Sequence, residues 1–140
     1  MPDSQPSVLA LDFGAQRVGV AVASLAARLP SPAGAIEQSP TFFDDIRTQV
    51  DAHNARVLVV GLPRSLDGND TSQTLDARHF SQELAARLNL PVYLQDEALT
   101  SQQAEEELKS RKAGYNKGDV DALAATYILE DFLRGHPEVK

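Results

Sequence analysis

The chain of 140 residues contains no cysteine. Disulfide bonds and thiolate metal sites are therefore excluded, and carboxylates remain as the natural ligands for a hard cation. The sequence also lacks an apolar run of the roughly 18 residues that a membrane-spanning helix needs, and its first residues lack the basic and apolar regions of a signal peptide. We therefore expect a cytoplasmic protein with no membrane partner.

Positive charge is scarce as well. The chain has 13 lysines and arginines against 20 aspartates and glutamates, which gives a formal net charge of -7. This balance argues against a broad basic surface of the kind that binds nucleic acid without selectivity. A local basic rim facing phosphate stays compatible with it if a divalent ion neutralises part of the acidic charge. The alternative is that the basic residues are ordinary solvated surface charges. The residues available for such a rim are Arg17, Arg64, Lys109, Arg111, Lys112 and Lys117.

With 42% hydrophobic residues, a chain of this length can bury one core. Alternation, apolar runs and turn residues predict an α/β protein in which three early strands precede alternating helices and strands. The termini, residues 1–6 and 135–140, are predicted to be flexible tails of a single domain, residues 1–140. The predicted strands cover residues 8–13, 18–23, 28–36, 57–60 and 90–95, and the predicted helices cover 40–53, 71–89, a segment starting at Thr100, and 119–134.

Three separated acidic motifs stand where apolar segments meet a break. Asp12 is near the end of the first strand, Asp96 and Glu97 follow the fifth strand, and Asp121 opens the last predicted helix, where the helix dipole favours a carboxylate. Taken singly, these acids could be a turn residue, a solvated strand end and a helix-terminus residue. Together they suit one or two Mg²⁺ or Mn²⁺ ions, which demand oxygen ligands and keep positions open for phosphate and water.

The same motifs resemble those of the YqgF family, also described as the pre-16S rRNA nuclease or Holliday-junction-resolvase-like family, within the ribonuclease H-like superfamily. The resemblance runs from about Val8 to Leu133. The family pattern usually has an arginine directly after the second acidic motif, whereas this chain has Ala98, so one contact to phosphate or to the acidic cluster is missing. The motifs that carry the resemblance are Leu11-Asp12-Phe13-Gly14, Arg17-Val18-Gly19-Val20-Ala21-Val22, Val59-Val60-Gly61-Leu62-Pro63 with Asp67-Gly68, Asp96-Glu97 with Leu99-Thr100, and Lys117-Gly118 with Val120-Asp121-Ala122-Leu123-Ala124-Ala125.

The resemblance implies a ribonuclease H-like fold, with a mixed sheet of three antiparallel N-terminal strands followed by parallel strands, and flanking helices. It implies that Asp12, Glu97 and Asp121 are the catalytic and metal-binding residues of a nuclease that uses Mg²⁺ or Mn²⁺. The implied substrates are the 5′ end of pre-16S rRNA, and also branched DNA such as Holliday junctions or single-stranded DNA. Ribosome association and a monomeric or homodimeric state fit this reading.

Positions beside these acids suggest the contacts to substrate. Arg64 lies in the loop after a central strand, at the sheet end where ligands of open α/β folds bind, and Lys117 lies at the entrance to the last helix. We predict that Arg17, Arg64 and Lys117 bind substrate phosphates.

Two other classes of function stay open at this point. Sugar kinases and related ATPases also begin with an Asp-x-Gly strand and hairpin, but they need two such domains around the nucleotide. A non-catalytic binding module acting with RNA polymerase or the ribosome would use the acids only structurally. The three histidines share no metal-ligand spacing, and no serine or threonine has a neighbouring histidine and acid for nucleophilic hydrolysis.

Overall fold

The computed structural model describes residues 5–65, 67–97, 106–110 and 114–140. The elements in this part of the chain are β1 (Ser7–Phe13), β2 (Arg17–Ser24), β3 (Ser31–Glu37), α1 (Phe42–Ala52), β4 (Ala55–Pro63), α2 (Ser72–Leu88), β5 (Val92–Glu97) and α3 (Lys117–Gly135). The five strands form one sheet in the order β3-β2-β1-β4-β5. β1 pairs antiparallel with β2, and β2 pairs antiparallel with β3, while β4 runs parallel to both β1 and β5.

Helices cover both faces of the sheet, and the alternation of side chains along β1 shows how. Leu9 and Leu11 point to the face that α1 and α2 cover, whereas Val8 and Ala10 point to the face that α3 covers. All four side chains are fully buried. β1 is therefore apolar on both faces, as expected of a central strand.

The predicted fold class is confirmed, including the change from antiparallel to parallel pairing. The element bounds shift by a few residues. β3 is shorter at its start than predicted, because the segment around Pro30 lies outside the ladder with β2. α2 begins after the capping residue Thr71, whose side chain accepts a hydrogen bond from the backbone of Thr74, and ends at Asn89, which has a left-handed φ of 55°.

The last helix also differs from its prediction. It begins at Lys117, two residues earlier than predicted, because Asn116 and Asp119 form a capping box in which each side chain bonds the other's backbone N–H. Asp121 therefore lies in the second turn of α3 and not in the first. Asp119 therefore acts as a capping residue of α3.

The C-terminal end of the chain packs against the domain, and the segment before α3 is described only in part. Residues 135–140, predicted as a flexible tail, lie against the domain: Val139 is 7% exposed, and its carbonyl oxygen accepts a hydrogen bond from the Arg28 guanidinium. The predicted start of a helix at Thr100 lies outside the described residues, and residues 106–110 are helical. No helix of the described residues is both long and apolar enough to cross a membrane.

Candidate carboxylate site

The C-terminal ends of the parallel strands β1, β4 and β5 meet at one edge of the sheet, which we call the site edge. The start of β2 and the N-terminal part of α3 lie at the same edge, because β2 runs antiparallel to β1 and α3 packs against β2. This arrangement brings predicted site residues from three distant parts of the sequence to one edge: Asp12 and Arg17 from the first hairpin, Glu97 from β5 and Asp121 from α3.

Asp12 and Asp121 are neighbours on the face that α3 covers. Asp12 follows Val8 and Ala10 on that face of β1, and the charge of Asp121 is close enough to affect its ionisation. Burial, with Asp121 as the second cause, raises the pKa of Asp12 to about 7. The structure thus holds together two carboxylates that repel each other when both are ionised.

Gly19 explains how α3 reaches Asp12. It pairs with Asp12 across the β1–β2 ladder, and a side chain at this position would overlap the carbonyl oxygen of Asp121 and lie 3.0 Å from the backbone nitrogen of Ala122. The missing Cβ lets the backbone of α3 rest directly on β2. The sequence marked Gly19 only as part of a motif, because a close helix-to-strand contact is not visible in local patterning.

Glu97 shares the α3 face with Asp12, while its neighbour Asp96 does not. Tyr93, four residues before Glu97 and on the same face of β5, packs its ring edge against Phe132 of α3. Asp96 points to the other face and is 67% exposed. Of the two acids in this motif, Glu97 is therefore the one placed to act with Asp12 and Asp121.

The surroundings of Glu97 are acidic and partly shielded from solvent. Burial comes first among the causes that raise its pKa to about 9, followed by a side-chain hydrogen bond and charge repulsion from Asp131, and then by repulsion from Asp12 and Asp96. Its Oε1 atom is buried and has no hydrogen-bond partner among the residues that the structure describes. Asp131, in the fourth turn of α3, is an acid that sequence reasoning missed, since only helix packing brings it beside β5.

These donors fit a divalent cation in their chemistry. Two adjacent carboxylates and a buried carboxylate oxygen without a partner are hard oxygen donors, which Mg²⁺ and Mn²⁺ prefer. Within the described ranges, however, no three acidic or histidine side chains are gathered closely enough to hold one ion together. β4 separates β1 from β5, so Glu97 starts about 10 Å from β1, two strand spacings away.

The three predicted phosphate-binding residues have different surroundings. Arg17 donates a hydrogen bond to Asp121 over 2.6 Å, and both side chains are about four-fifths buried, at 21% and 23% exposure. Arg64 bonds Asp70 and Asp96, so its charge is also compensated within the chain. Lys117 is exposed at the start of α3.

Arg17 and Lys117 line the same open cleft, whereas Arg64 lies away from it. This cleft, of about 500 Å³, runs between β3 and the start of α3 and includes Glu37 and Asp119 among its walls. A phosphate entering it would meet one lysine directly and an arginine that is now paired with Asp121.

The fold and the acidic edge together define a ribonuclease H-like α/β domain. The structure is similar to Thermus thermophilus RuvC, solved in complex with a Holliday junction substrate, with a TM-score of 0.54 and 16% sequence identity over 96% of this chain and 98% of that chain. A second structure of Thermus thermophilus RuvC gives a TM-score of 0.52 with the same coverage. At this level of identity the similarity establishes the fold.

The family follows from sequence comparison. Residues 6–135 match the model of the RuvX family, described as Holliday junction resolvase, and the chain belongs to this family. A protein of Crocosphaera subtropica named "Putative pre-16S rRNA nuclease" is 39% identical over 131 residues, which cover 91% of this chain and 92% of that protein. A protein of Alcanivorax borkumensis with the same name is 35% identical over 136 residues, covering 94% and 98%. The family recognised from the motifs is confirmed, and with it the prediction of a hydrolase of the nuclease class.

Proposed function

We propose that the chain is a divalent-metal-dependent nuclease that hydrolyses phosphodiester bonds at the 5′ end of the 16S rRNA precursor. The observation that carries this proposal is the adjacent pair of Asp12 and Asp121, with the buried Oε1 atom of Glu97, which has no hydrogen-bond partner among the described residues, at the same edge of the sheet. Family membership, and the names of relatives that align over nearly their whole length, support the class of substrate. Branched or single-stranded DNA is the second candidate substrate.

In this proposal Asp12, Glu97 and Asp121 hold one or two Mg²⁺ or Mn²⁺ ions. Such ions supply an activated water and positive charge at the phosphate. The electrostatics of the three acids support this role. Asp121 helps to raise the pKa of Asp12, Asp12 helps to raise the pKa of Glu97, and a divalent cation would relieve both repulsions.

The basic residues orient the nucleic acid. Lys117 offers a charged ammonium to a backbone phosphate at the mouth of the cleft. Arg17 lies at the same cleft and becomes available to phosphate when a cation takes over the charge compensation of Asp121. Arg64 can reach phosphate only by leaving Asp70 or Asp96, and so it binds substrate at a greater energetic cost than Lys117.

Location and assembly are part of the same proposal. A nuclease that trims ribosomal precursors works in the cytoplasm, in association with the immature ribosome. We propose a monomer for this single-strand cut. A homodimer would be required for symmetric cleavage of both strands of a junction.

The test is cleavage of labelled precursor rRNA, single-stranded DNA and a four-way junction with Mg²⁺, Mn²⁺ or EDTA. We expect metal-dependent cutting by the wild type and a loss of at least about 100-fold in Asp12→Asn and Glu97→Gln, because each removes a charged metal ligand. The matched control is Asp51→Asn, an exposed acid at the end of α1 that should cut normally.

The result can also exclude the proposal. Cutting that is indifferent to both substitutions would place the chemistry elsewhere. No cutting of any substrate by the folded wild type would favour a non-catalytic binding module, in which the acids are structural. Binding and hydrolysis of ATP would instead support a function related to that of sugar kinases and ATPases.

A further inference from the structure

A second concave surface lies at the site edge, on the opposite face of the sheet from the carboxylates. This aromatic cleft has a volume of about 390 Å³ and is walled by Phe13, Phe42, Phe43 and Phe80. Phe13 directly follows Asp12 in β1, so the two side chains point to opposite faces only one residue, about 3.3 Å, apart along the strand.

The walls of the cleft are flat rings that are already packed together. Phe13 stacks on Phe80 with ring centroids 4.4 Å apart, and Phe42 contacts Phe80 with centroids 5.7 Å apart. Phe42 and Phe80 are nearly buried, while Phe13 and Phe43 are partly exposed. The cleft thus offers a preformed aromatic surface to a planar group. Binding such a group would order few further side chains, because the rings are already held in place by the fold.

The rim of the cleft is rich in hydrogen-bond acceptors. Asp76 and Glu83 lie one above the other on the exposed side of α2 and bring two carboxylates to the rim. Gln38 donates its Nε2 group to the carbonyl oxygen of Gly14, which leaves its Oε1 atom to accept a hydrogen bond. A group that fits this rim must present N–H donors.

Two ligand classes can be set aside on charge. None of the residues that line the cleft is a lysine or arginine, and Arg87, which lies beside it, is already paired with Glu83. A phosphate would therefore meet the carboxylate of Asp76. A cationic side chain from a partner would compete with the chain itself, since the Arg87 guanidinium lies over the Phe43 ring at 4.2 Å and pairs with Glu83 at 3.5 Å.

We propose that the aromatic cleft binds an unpaired nucleobase of the substrate strand, next to the phosphate held at the carboxylates, and that it prefers guanine. Stacking on aromatic rings suits every base. Guanine alone presents two adjacent N–H donors, N1–H and the 2-amino group, to a single carboxylate. The inference rests on the proposed nuclease function and deepens it, because it assigns sequence preference to the nucleotide beside the cut.

The absence of tryptophan in the chain allows a direct binding test. The variant Phe43→Trp places the sole tryptophan in the cleft wall, where a stacked base quenches its fluorescence. The probes are RNA hexamers in EDTA: a hexauridylate, the same strand with one guanine, and the same strand with inosine, which lacks the 2-amino group. We expect quenching by the guanine strand at concentrations about tenfold or more below those needed with inosine or uridine.

Variants of the rim test the carboxylates. In the Phe43→Trp background, Asp76→Asn and Glu83→Gln should reduce the preference for guanine over inosine. Glu130→Gln is the matched control: it removes the same charge from an exposed position of α3 that does not line the cleft, and it should keep that preference. Thermal unfolding of each variant shows that the fold is retained.

The outcomes separate this inference from the nuclease proposal. Guanine-specific quenching by a protein that cuts no substrate would support base binding in the aromatic cleft and contradict the proposed nuclease function. Metal-dependent cutting with equal quenching by guanine, inosine and uridine strands would overturn the cleft alone. Quenching by a short arginine peptide and not by any RNA strand would also overturn it, in favour of a cationic protein partner.

Discussion

At the scale of single residues, the carboxylates of Asp12 and Glu97 carry the largest electrostatic cost in the described structure. Both have raised pKa values, about 7 and about 9, with burial as the first cause. In the metal-free protein, the folded state therefore binds protons at these two groups more tightly than the unfolded chain does.

This difference predicts how stability depends on pH. A carboxyl group with a raised pKa contributes its stabilisation fully below its unfolded pKa, near 4, and loses it as the pH rises through its folded pKa. We expect the free energy of unfolding in EDTA to fall between about pH 4 and pH 9, with the Asp12 part complete just above pH 7 and the Glu97 part later. Urea denaturation at stepped pH measures this.

The controls follow from the same two groups. The double variant Asp12→Asn with Glu97→Gln should flatten the fall, and Asp51→Asn should keep it. Mg²⁺ added at pH 8 should recover stability in the wild type and not in the double variant, because an ion that binds only the folded state stabilises it. A wild-type profile that is flat from pH 5 to pH 9 would contradict the electrostatic account.

At the scale of elements, the site depends on how α3 lies against the sheet. Gly19 of β2 admits the second turn of the helix, and the capping box of Asn116 and Asp119 fixes where the helix begins. Both features act on the position of Asp121. None of these three residues is proposed to touch the reacting atoms of the substrate.

Substitution of Gly19 tests the close approach. Gly19→Ala should displace α3 from β2, destabilise the fold by about 1–3 kcal/mol as overpacking does, and lower metal-dependent cleavage more than the stability loss accounts for. Gly135→Ala is the control, since nothing lies within 4 Å of the Cβ it would add. Thermal unfolding together with cleavage well below the melting temperature separates the two effects. Normal cleavage by a folded Gly19→Ala would show that the approach is unimportant for the site.

The two capping boxes of the fold provide a matched pair. Asn116→Ala removes the cap of α3 and Thr71→Ala removes the cap of α2, and each should cost about 1 kcal/mol. Only Asn116→Ala should also weaken cleavage, because it loosens the helix that carries Asp121. Equal cleavage by both variants at equal stability would mean that the start of α3 does not control the site.

At the scale of the whole molecule, an acidic protein is proposed to bind an acidic polymer. The net charge of -7 leaves binding to a few local cations, chiefly Lys117 and Arg17 at one cleft. The release of counterions should be correspondingly small.

The salt dependence of binding measures how many phosphates of the nucleic acid the protein contacts. For a single-stranded RNA without metal, Arg17 stays paired with Asp121, and Lys117 is left as the phosphate contact of the cleft. We expect the logarithm of the association constant to fall with the logarithm of salt concentration with a slope of about -0.7, the value for one phosphate contact. Lys117→Gln should bring the slope close to zero, whereas Arg134→Gln, on the far end of α3, should leave it unchanged. Fluorescence anisotropy across a salt series gives the slope. A slope steeper than about -4 would show a broad basic surface instead.

The class of fold and the acids of the site could be predicted from the sequence. The apolar runs of β1 and β4 are local signals, and local patterning specifies them. The acids near the C-terminal ends of β1 and β5 could be placed together because parallel strands end at one edge of the sheet. These features were readable because each depends on neighbours in sequence.

Which side chains meet across the fold could be read only from the folded chain. The pairing of Arg17 with Asp121 and the acid Asp131 beside β5 both depend on how α3 crosses the sheet. The aromatic cleft likewise joins β1, α1 and α2. Contacts between segments far apart in the chain are set by packing of the whole core, and no local pattern of residues encodes them.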